Sequence, residues 1–462
     1  MENLKIGLLP LYVKLYDDYW PEIRERADAF PLLIAEQFRR RNVEVITVSP
    51  CSVQAEFEAA VRHFEAANVD AIVTLHLAYS PSLESADLLA STSLPLVVLD
   101  TTPTFDYSPG QDPSELMYNH GIHGVQDLCN VLLRRGKDFQ IEAGHWQESD
   151  VIDRVRDCAK ASKMAKAMKQ AKVGRLGRAF EGMGDFRVPG ETLRTEIGVE
   201  TLEFDFKSVP FIEDIDNSRI REEMQTDRTR FRADKLDEDV HRQTTEASLK
   251  VRDWIQQQGL TAFTMNFLDI TKSTGLPCMP FLEACKAMER GIGYAGEGDV
   301  LTAALTGALL SVYPDASFAE MFCPDWKHNR IFLSHMGEMN LRVADEKPLL
   351  QEKPFPFTDA GPAAVACGRF RGGDAVYVCL SPGKNDRFSL IVSPIKMLEV
   401  VESDRMEETV RGWFKPPIPV ADYLSAFSRQ GGIHHGVIVY GNECETIARF
   451  GEIMGWRVVR IG

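Results

Sequence analysis

Carboxylate and imidazole side chains that could bind a metal occur in turn-rich or apolar stretches of the second half of the chain. Glu297 lies in AGEGD, Glu320 in SFAEMF and His335 in LSHMGEMN, and the pair His434 and His435 lies in GGIHHGV. Each residue alone is typical of a solvated surface acid or a buried core histidine. Together they form a donor set of oxygen and nitrogen atoms without a thiolate, which favours Mn²⁺, Co²⁺ or Mg²⁺ over structural zinc. Their separation in sequence leaves open whether they meet.

The segment around Glu297 predicts a carboxylate at the start of a helix. Asp299 precedes the apolar run VLTAALTGALLSV, where an aspartate caps a helix N-terminus. We therefore expect Glu297 in a flexible loop at that end, where the helix dipole keeps its carboxylate ionised. His434 and His435 lead into a strand, and neighbours in a strand point to opposite faces. At most one of these two imidazoles is expected to face a given site.

A glycine motif beside Glu297, GIGYAG at residues 291–296, has the G-x-G-x-x-G spacing of dinucleotide-binding loops. That motif requires a strand before its first glycine. Here the preceding residues 280–290 (PFLEACKAMER) have helical periodicity, so Gly291 is better explained as the C-terminal cap of a helix. We do not expect this motif to bind a nucleotide.

The composition disfavours several classes of protein. The 462 residues include 52 basic and 68 acidic side chains, and the formal net charge of −16 disfavours binding to nucleic acid. The nine cysteines are scattered without a CxxC pair, which disfavours a disulfide framework and a zinc ribbon. Neither a signal peptide nor an apolar segment of the roughly 18 residues that span a bilayer is recognisable. We expect a cytoplasmic protein with no membrane partner.

The first third of the chain predicts an open parallel sheet. Short apolar runs at residues 5–9, 43–48, 71–75 and 94–100 alternate with helical patterns, the clearest at 21–41 with Pro31 as a kink. This alternation places helices on both faces of the sheet and ligands at the carboxyl ends of its strands. A basic helix over residues 150–171 follows, and in an acidic chain we interpret it as a solvated face.

The rest of the chain predicts two further regions. An α/β region begins at Val173, with a strand at residues 195–204 and a charged helical stretch at 219–258, and closes around 291–310. Residues 331–462 contain short alternating strands such as AVYVCLS and FSLIVS, which predict a largely β domain with a terminal helix.

Several longer stretches carry a family resemblance. The most extensive are GLPCMPFLEACKAMERGIGYAGEGDVLTAAL, ASFAE, LSHMGEMN and VADEKPLL, and shorter ones are LHLAYSP, NHGIHG, GHWQ, FTMNFLDI and GGIHHGV. In their residues and in their order along the chain, these stretches resemble the bacterial L-arabinose isomerases, within the broader L-arabinose and L-fucose isomerase fold group. The resemblance spans almost the whole chain and is strongest at residues 263–348 and 431–437. It implies a metal-dependent aldose–ketose isomerase.

The resemblance also implies a fold and an assembly. The expected class is α/β, with a flavodoxin-like open sheet at residues 1–171, a second α/β domain at 172–310 and a β-rich domain at 311–462. The first metal-binding glutamate would belong to the second domain and the other metal ligands to the third. Members of the family assemble as trimers or hexamers, so a homotrimer or homohexamer is expected.

By the same resemblance, the metal ligands would be Glu297, Glu320, His335 and His435, with Mn²⁺ as the expected ion and Co²⁺ or Mg²⁺ as alternatives. Glu297 and Glu320 would also be the catalytic proton carriers. The residues expected to contact the sugar are His434, His123, His120, Tyr79, Met183 and Phe267. Of these, His123 matches a histidine that reaches the site of a neighbouring subunit.

Three departures from the family fall on positions that face the substrate. The opening strand continues as LLPLYVKLYDDYW, without the glutamine that touches substrate in the family. His120 replaces another polar residue, and MFCPDW after Glu320 introduces Asp325 and Trp326. The metal ligands are intact, so the sequence predicts the family's chemistry on a monosaccharide that need not be L-arabinose; a fucose-like or short-chain sugar is an alternative.

The expected reaction moves a proton between C1 and C2 of an open-chain sugar through an enediolate. One of Glu297 and Glu320 would take the proton, while the other, or a metal-bound water, moves the protons on oxygen. Activity should fall at acid pH as His335 and His435 become protonated. The alternative class is a non-catalytic sugar-binding or regulatory protein on the same fold, but such a protein has no need of all four metal ligands.

Overall fold

The computed structural model of the chain describes residues 3–204, 206, 214–384, 387–400 and 404–462. It divides into two compact units, one extending to Lys163 and the other comprising Met164–Gly462. This division falls within a long helix. The three-domain division with boundaries after residues 171 and 310 stays a prediction.

The N-terminal unit alternates strands and helices. In chain order they are β1 (Lys5–Leu11), α1 (Lys14–Tyr19), α2 (Ile23–Arg39), β2 (Glu44–Thr47), α3 (Gln54–Ala66), β3 (Ala71–His76), α4 (Ala86–Ser91), β4 (Leu96–Asp100), α5 (Leu116–Asn119), α6 (Ile122–Arg134), β5 (Gln140–Ala143) and α7 (Val151–Lys169). Pro31 lies within α2, and α7 contains the division between the two units.

The five strands of this unit form a parallel sheet in the order β2-β1-β3-β4-β5. This is the strand order of flavodoxin-like folds and confirms the predicted open sheet. Alternate residues of β3 face different hydrophobic cores: Val73 and Leu75 pack in one, and Ile72 packs in the other. A strand buried on both faces has a continuous apolar sequence. This is why the apolar run at residues 71–75 was sufficient to locate β3.

The second unit begins with a further α/β region. Its elements are β6 (Lys172–Leu176), α8 (Gly190–Thr192), β7 (Glu200–Phe204), α9 (Asn217–Arg230), α10 (Glu238–Gln258), β8 (Ala262–Met265), α11 (Phe281–Glu289), β9 (Gly293–Gly296) and α12 (Val300–Leu310). The strands form a parallel sheet in the order β7-β6-β8-β9. Parallel pairing places the residues that follow β6, β8 and β9 at one edge of this sheet.

Two expectations for this region need correction. The predicted strand at residues 195–204 is shorter, because residues Leu193–Ile197 form a π-helical turn before β7. The glycine motif at 291–296 follows helix α11 as predicted, and Gly291 has the left-handed φ of 90° typical of a C-terminal cap. Its last four residues, however, form strand β9. Two glycines in four residues weaken the sequence signal for a strand.

The remaining elements are mostly strands: β10 (Ala316–Asp325), β11 (Arg330–Ser334), β12 (Leu349–Lys353), β13 (Ala363–Cys367), β14 (Gly373–Ser381), β15 (Ser389–Met397), β16 (Gly412–Lys415), α13 (Val420–Arg429), β17 (His435–Tyr440), α14 (Cys444–Ile453) and β18 (Arg457–Arg460). Six of them pair antiparallel in the closed ring β14-β17-β10-β11-β16-β15, and β18 adds to β15 in parallel. This barrel confirms the β-rich prediction, although the last element is a strand and not the expected helix.

Two further features concern the cysteines and the helices. All nine cysteines are free thiols, six of them buried. No helix in the described part of the chain is both long and apolar enough to cross a bilayer.

A cluster of buried charges joins helices α9, α10 and α11. The Arg252 guanidinium lies 2.8 Å from a Glu223 oxygen and 2.9 Å from a Glu283 oxygen. Lys286 lies 2.7 Å from Glu223 and 2.5 Å from Asp227. The Glu283 side chain is completely buried. A charge buried in this way is tolerated only while its partners remain in place.

Replacing Glu283 with Gln should therefore destabilise the second unit, because Arg252 loses a buried partner. We expect a loss of about 3 kcal/mol or more in the free energy of unfolding. Glu58→Gln, which removes an exposed partner of Arg62, is the matched control and should cost less than about 1 kcal/mol. Urea denaturation followed by circular dichroism measures both. Equal, small effects would show that the buried cluster contributes no more than a surface pair.

The same cluster predicts an acid-dependent loss of stability. Burial raises the pKa of Glu223, but Arg252 and Lys286 outweigh it and lower this pKa to about 2. Because an unfolded glutamate has a pKa of about 4.3, the stabilisation is present above that value and is lost as the pH falls towards 2. Glu223→Gln should flatten the decline in unfolding free energy between pH 5 and pH 3. An unchanged slope would contradict this assignment.

Candidate metal centre

The barrel strands bring two of the predicted ligands into register. On β10, Glu320 lies directly opposite His435 of β17 and Ser334 of β11. Ala319 and Leu333 belong to the barrel core, so their neighbours Glu320 and Ser334 point to the outer side of the barrel. His335 follows Ser334 immediately after β11 ends. Antiparallel pairing thus places residues that are far apart in sequence at one position on the barrel surface.

Glu297 reaches the same place from the central sheet. It follows β9 directly and has a φ of 62°, a left-handed conformation that is uncommon for a residue with a side chain. Gly298 is also left-handed, at 82°. Asp299 then caps α12 by accepting a hydrogen bond from the Thr302 backbone at 2.9 Å, as predicted. The turn between β9 and α12 is therefore defined by a strand, a helix cap and two left-handed residues.

These elements bring the predicted ligands together. The Glu320 Oε1 atom lies 2.9 Å from His335 Nε2 and 3.1 Å from His435 Nε2. The Glu297 Oε2 atom lies 3.2 Å from His434 Nε2 and 3.6 Å from His435 Nε2. Two groups of possible metal ligands result among the described residues, and both include His435: Glu297 with His434 and His435, and Glu320 with His335 and His435.

The expectation that the adjacent histidines face opposite ways was wrong. Their ring centroids are 4.2 Å apart, and both imidazoles approach Glu297. The reason is that β17 begins at His435, so His434 precedes the strand and is not bound by its alternation.

The buried atoms of this cluster fit a bound cation. Glu320 Oε1 and His435 Nε2 are both buried, and neither makes a hydrogen bond among the described residues. Neighbouring ligands of an octahedral ion with bonds of about 2.1 Å lie about 3 Å apart, which is close to the spacing between Glu320 and the two imidazoles. Two carboxylates and two imidazoles also form a chemically suitable set for a divalent ion of the Mn²⁺ type.

Each imidazole has its own carboxylate partner on the side away from the cluster. Asp299 lies 2.8 Å from His435 Nδ1, and Glu338 lies 2.6 Å from His335 Nδ1. Glu338 in turn accepts a hydrogen bond from Tyr294 at 2.7 Å. Such partners fix the tautomer and orientation of a metal-binding histidine. Glu338 lies in the predicted segment SHMGEMN, but its role as a partner could be identified only from the folded chain.

The local charges keep both glutamates ionised. Burial raises the pKa of Glu297, but the hydrogen bond from His434 and the neighbouring His435 imidazole outweigh it and bring this pKa to about 2. Burial also raises the pKa of Glu320, but His335 and His435 lower it by more, so that this pKa lies well below its usual range. Conversely, burial lowers the pKa of His335, but Glu338 and Glu320 raise it to about 10. Ionised carboxylates are the form that binds a metal.

Aromatic rings enclose the cluster. Phe318 contacts the His335 and His435 rings edge to face, with centroids 4.9 and 5.1 Å apart. Phe186 stacks on His435 at 5.1 Å. Apolar walls lower the local dielectric and strengthen electrostatic interactions inside the site.

The predicted sugar contacts fall in both units. In the second unit, Met183 packs against the barrel core and Phe267 contacts the ring of Phe180 at 5.4 Å. In the N-terminal unit, the partly exposed Tyr79 donates a hydrogen bond to Asp127, His120 is 2.7 Å from the Tyr16 hydroxyl, and His123 is exposed. Their roles as sugar contacts stay predictions.

Comparison with known proteins identifies the family of this chain. The model of the L-arabinose isomerase central domain matches residues 197–313, and the model of the L-arabinose isomerase C-terminal domain matches residues 315–457. Together these matches cover more than half of the chain. The chain therefore belongs to the L-arabinose isomerase family, a family of aldose–ketose isomerases.

Individual relatives are similar at low identity across most of their length. The L-arabinose isomerase of Shouchella clausii strain KSM-K16 is 25% identical over 455 residues, which cover 95% of this chain and 91% of the relative. That of Thermotoga sp. strain RQ2 is 24% identical, with 85% and 81% covered. A solved arabinose-binding periplasmic protein from Shewanella sp. ANA-3 aligns with 67% of this chain and 84% of its own at 15% identity, but its TM-score of 0.16 is too low to carry an inference.

The turn that holds Glu297 yields a prediction for Gly298. A Cβ atom there would lie 2.6 Å from the Arg178 carbonyl oxygen and 2.7 Å from the Ala179 Cα atom, and the backbone is left-handed. Gly298→Ala should therefore displace Glu297, destabilise the unit by about 1–3 kcal/mol and weaken the binding of Mn²⁺ used as a probe. Melting temperature and titration calorimetry measure these effects. Gly184→Ala, where a Cβ meets open space, is the control; wild-type behaviour of Gly298→Ala would refute the assignment.

Proposed function

We propose that this member of the family is a metal-dependent isomerase that moves a proton between C1 and C2 of an open-chain aldose. The observation that supports it is that two groups of possible ligands, Glu297 with His434 and His435 and Glu320 with His335 and His435, share His435. Buried ligand atoms of Glu320 and His435 also make no hydrogen bond among the described residues. In this proposal all four side chains hold a divalent cation, with Mn²⁺ as the expected ion and Co²⁺ or Mg²⁺ as alternatives. When bound, such an ion supplies Lewis acidity at the C1 and C2 oxygens of the sugar.

Glu297 and Glu320 are the proposed proton carriers. Both carboxylates are held in the ionised form and approach the same small space from different elements. One takes the proton from carbon, and the other moves the protons on oxygen, through an enediolate of the sugar. The outer carboxylates Asp299 and Glu338 keep the imidazoles oriented while protons move.

The remaining sugar contacts are proposed for His434, Met183 and Phe267 in the second unit and for Tyr79, His120 and His123 in the N-terminal unit. In a homotrimer or homohexamer, the second set would serve the site of a neighbouring subunit. The exposure of His123 and the partial exposure of Tyr79 support this proposal.

L-arabinose is the first candidate substrate, because the relatives named above are L-arabinose isomerases. The opening strand β1 and the β10–β11 hairpin nevertheless carry side chains that depart from the family resemblance. In the hairpin, Asp325 pairs with His328 and Arg330, and Trp326 is largely exposed. A fucose-like or short-chain aldose therefore belongs in the same test.

Incubation of the Mn²⁺-loaded protein with aldoses and ketoses in D₂O tests the reaction. Deuterium should appear at C2 of the aldose form of one sugar, because the carbon proton exchanges with solvent on the base. The signal should depend on Mn²⁺ and disappear with EDTA. Nuclear magnetic resonance of the sugar pool measures it. No exchange or interconversion across the panel would contradict the proposed reaction and favour a non-catalytic sugar-binding protein.

Replacing Glu320 with Ala should abolish turnover while the fold remains. The variant loses a metal ligand and a proton carrier, so we expect the rate to fall by at least about 10²–10⁴-fold. Glu352→Ala, at an exposed glutamate of strand β12, is the matched control. Initial rates are compared with circular dichroism spectra of both variants. Full activity in Glu320→Ala would refute the role of this carboxylate.

A further inference from the structure

The loop at residues 177–188, which follows β6, touches three residues of the metal centre. The Phe180 backbone N–H donates to the Glu297 carbonyl oxygen at 3.0 Å. Phe186 stacks on His435 with an interplanar angle of 15°. Between them, Asp185 accepts two hydrogen bonds from His434, one from its backbone N–H at 3.0 Å and one from Nδ1 at 2.7 Å. The loop is thus the part of the central region that holds His434.

Asp185 differs from the other two carboxylates that pair with imidazoles. Asp299 and Glu338 are completely buried and are held by the Thr302 backbone and the Tyr294 hydroxyl. The Asp185 side chain is 38% exposed, and its loop contains Gly182, which is left-handed, and Gly184, which has open space around it. His434 itself is 37% exposed, whereas His435 is completely buried. The orientation of His434 therefore depends on its hydrogen bonds, whereas His435 is also held by the residues packed around it.

The hydrogen bonds also determine which ring nitrogen faces the cluster. A carboxylate accepts but does not donate, so the Nδ1 atom of His434 carries a hydrogen towards Asp185. The Nε2 atom then points to the interior, 3.2 Å from Glu297 Oε2. When Glu297 is engaged by a cation, Nε2 remains available to a hydroxyl group of the sugar.

We propose that Asp185 is a positioning residue that fixes the orientation and tautomer of His434 for substrate, without holding the metal. This inference rests on the proposed function, because it names a residue that acts on the same sugar. Loss of Asp185 frees the imidazole to rotate, so that the hydroxyl group it should meet is no longer placed correctly. The four proposed metal ligands keep their own partners.

The test compares Asp185→Ala and Asp185→Asn with Glu181→Gln, which changes an exposed carboxylate on the same loop. For the sugar that the wild type isomerises, Asp185→Ala should lower kcat/KM by about 10–100-fold. Asp185→Asn should be intermediate, because its amide oxygen still accepts a hydrogen bond but without charge. The affinity for Mn²⁺ measured by calorimetry should stay close to the wild-type value in all variants, because Asp185 does not orient a proposed metal ligand, and Glu181→Gln should resemble the wild type.

Unchanged kcat/KM in Asp185→Ala would overturn the proposal, and so would an equally large loss of Mn²⁺ affinity, which would indicate a role in the metal centre itself. A crystal structure of Mn²⁺-loaded Asp185→Ala supplies a readout that needs no turnover. The His434 ring should leave its position beside Glu297, and an unmoved ring would overturn the proposal. A displaced ring in a protein whose wild type isomerises no sugar would support the positioning role and contradict the proposed function instead.

Discussion

The carboxylates of Glu297 and Glu320 share His435 as a neighbour, and each raises the energy of the other's charge. The neighbouring imidazoles of His335, His434 and His435 offset this repulsion. A divalent cation would do so more strongly because it carries two charges at the point of convergence. The site is therefore built around a concentration of negative charge that requires a positive counterpart.

Different parts of the fold maintain this arrangement. The antiparallel register of β10 and β17 determines the position of Glu320 relative to His435. The left-handed turn after β9 determines where Glu297 lies, and Asp299 both caps α12 and orients His435. Because one aspartate serves the helix and the imidazole together, the start of α12 and the metal centre are mechanically linked. A shift of either element would alter the distances within the candidate metal centre.

Sequence patterns predicted the N-terminal sheet, the cap at Asp299 and the barrel's β-rich character, because each depends on local periodicity or on a single side chain. Strand β9 was not predicted, because two of its four residues are glycines, which have no side chain to contribute to a strand pattern. The predicted orientation of His434 and His435 was wrong, because the position at which β17 begins depends on its pairing with β10 and β14. Asp185 was missed because its partner His434 is 249 residues away in sequence, and nothing local marks an aspartate between a glycine and a phenylalanine as significant.

In the proposed site, the residues on the metal side and those on the sugar side belong to different kinds of structure. The metal side is formed by buried strands and a helix cap, which tolerate little change in geometry. The sugar side includes the half-exposed His434 and the glycine-containing loop of Asp185, where side chains can vary without disturbing the barrel. This difference would allow a chain to keep the proposed metal ligands and still depart from the family at the positions proposed to face substrate.

The most direct measurement is the anomalous scattering of crystals grown with Mn²⁺, collected near the manganese absorption edge. The proposed centre predicts one strong peak within bonding distance of Glu297, Glu320, His335 and His435. A peak at another location, or no peak at this cluster when the crystals contain saturating Mn²⁺, would contradict the assignment of these four side chains as a metal centre.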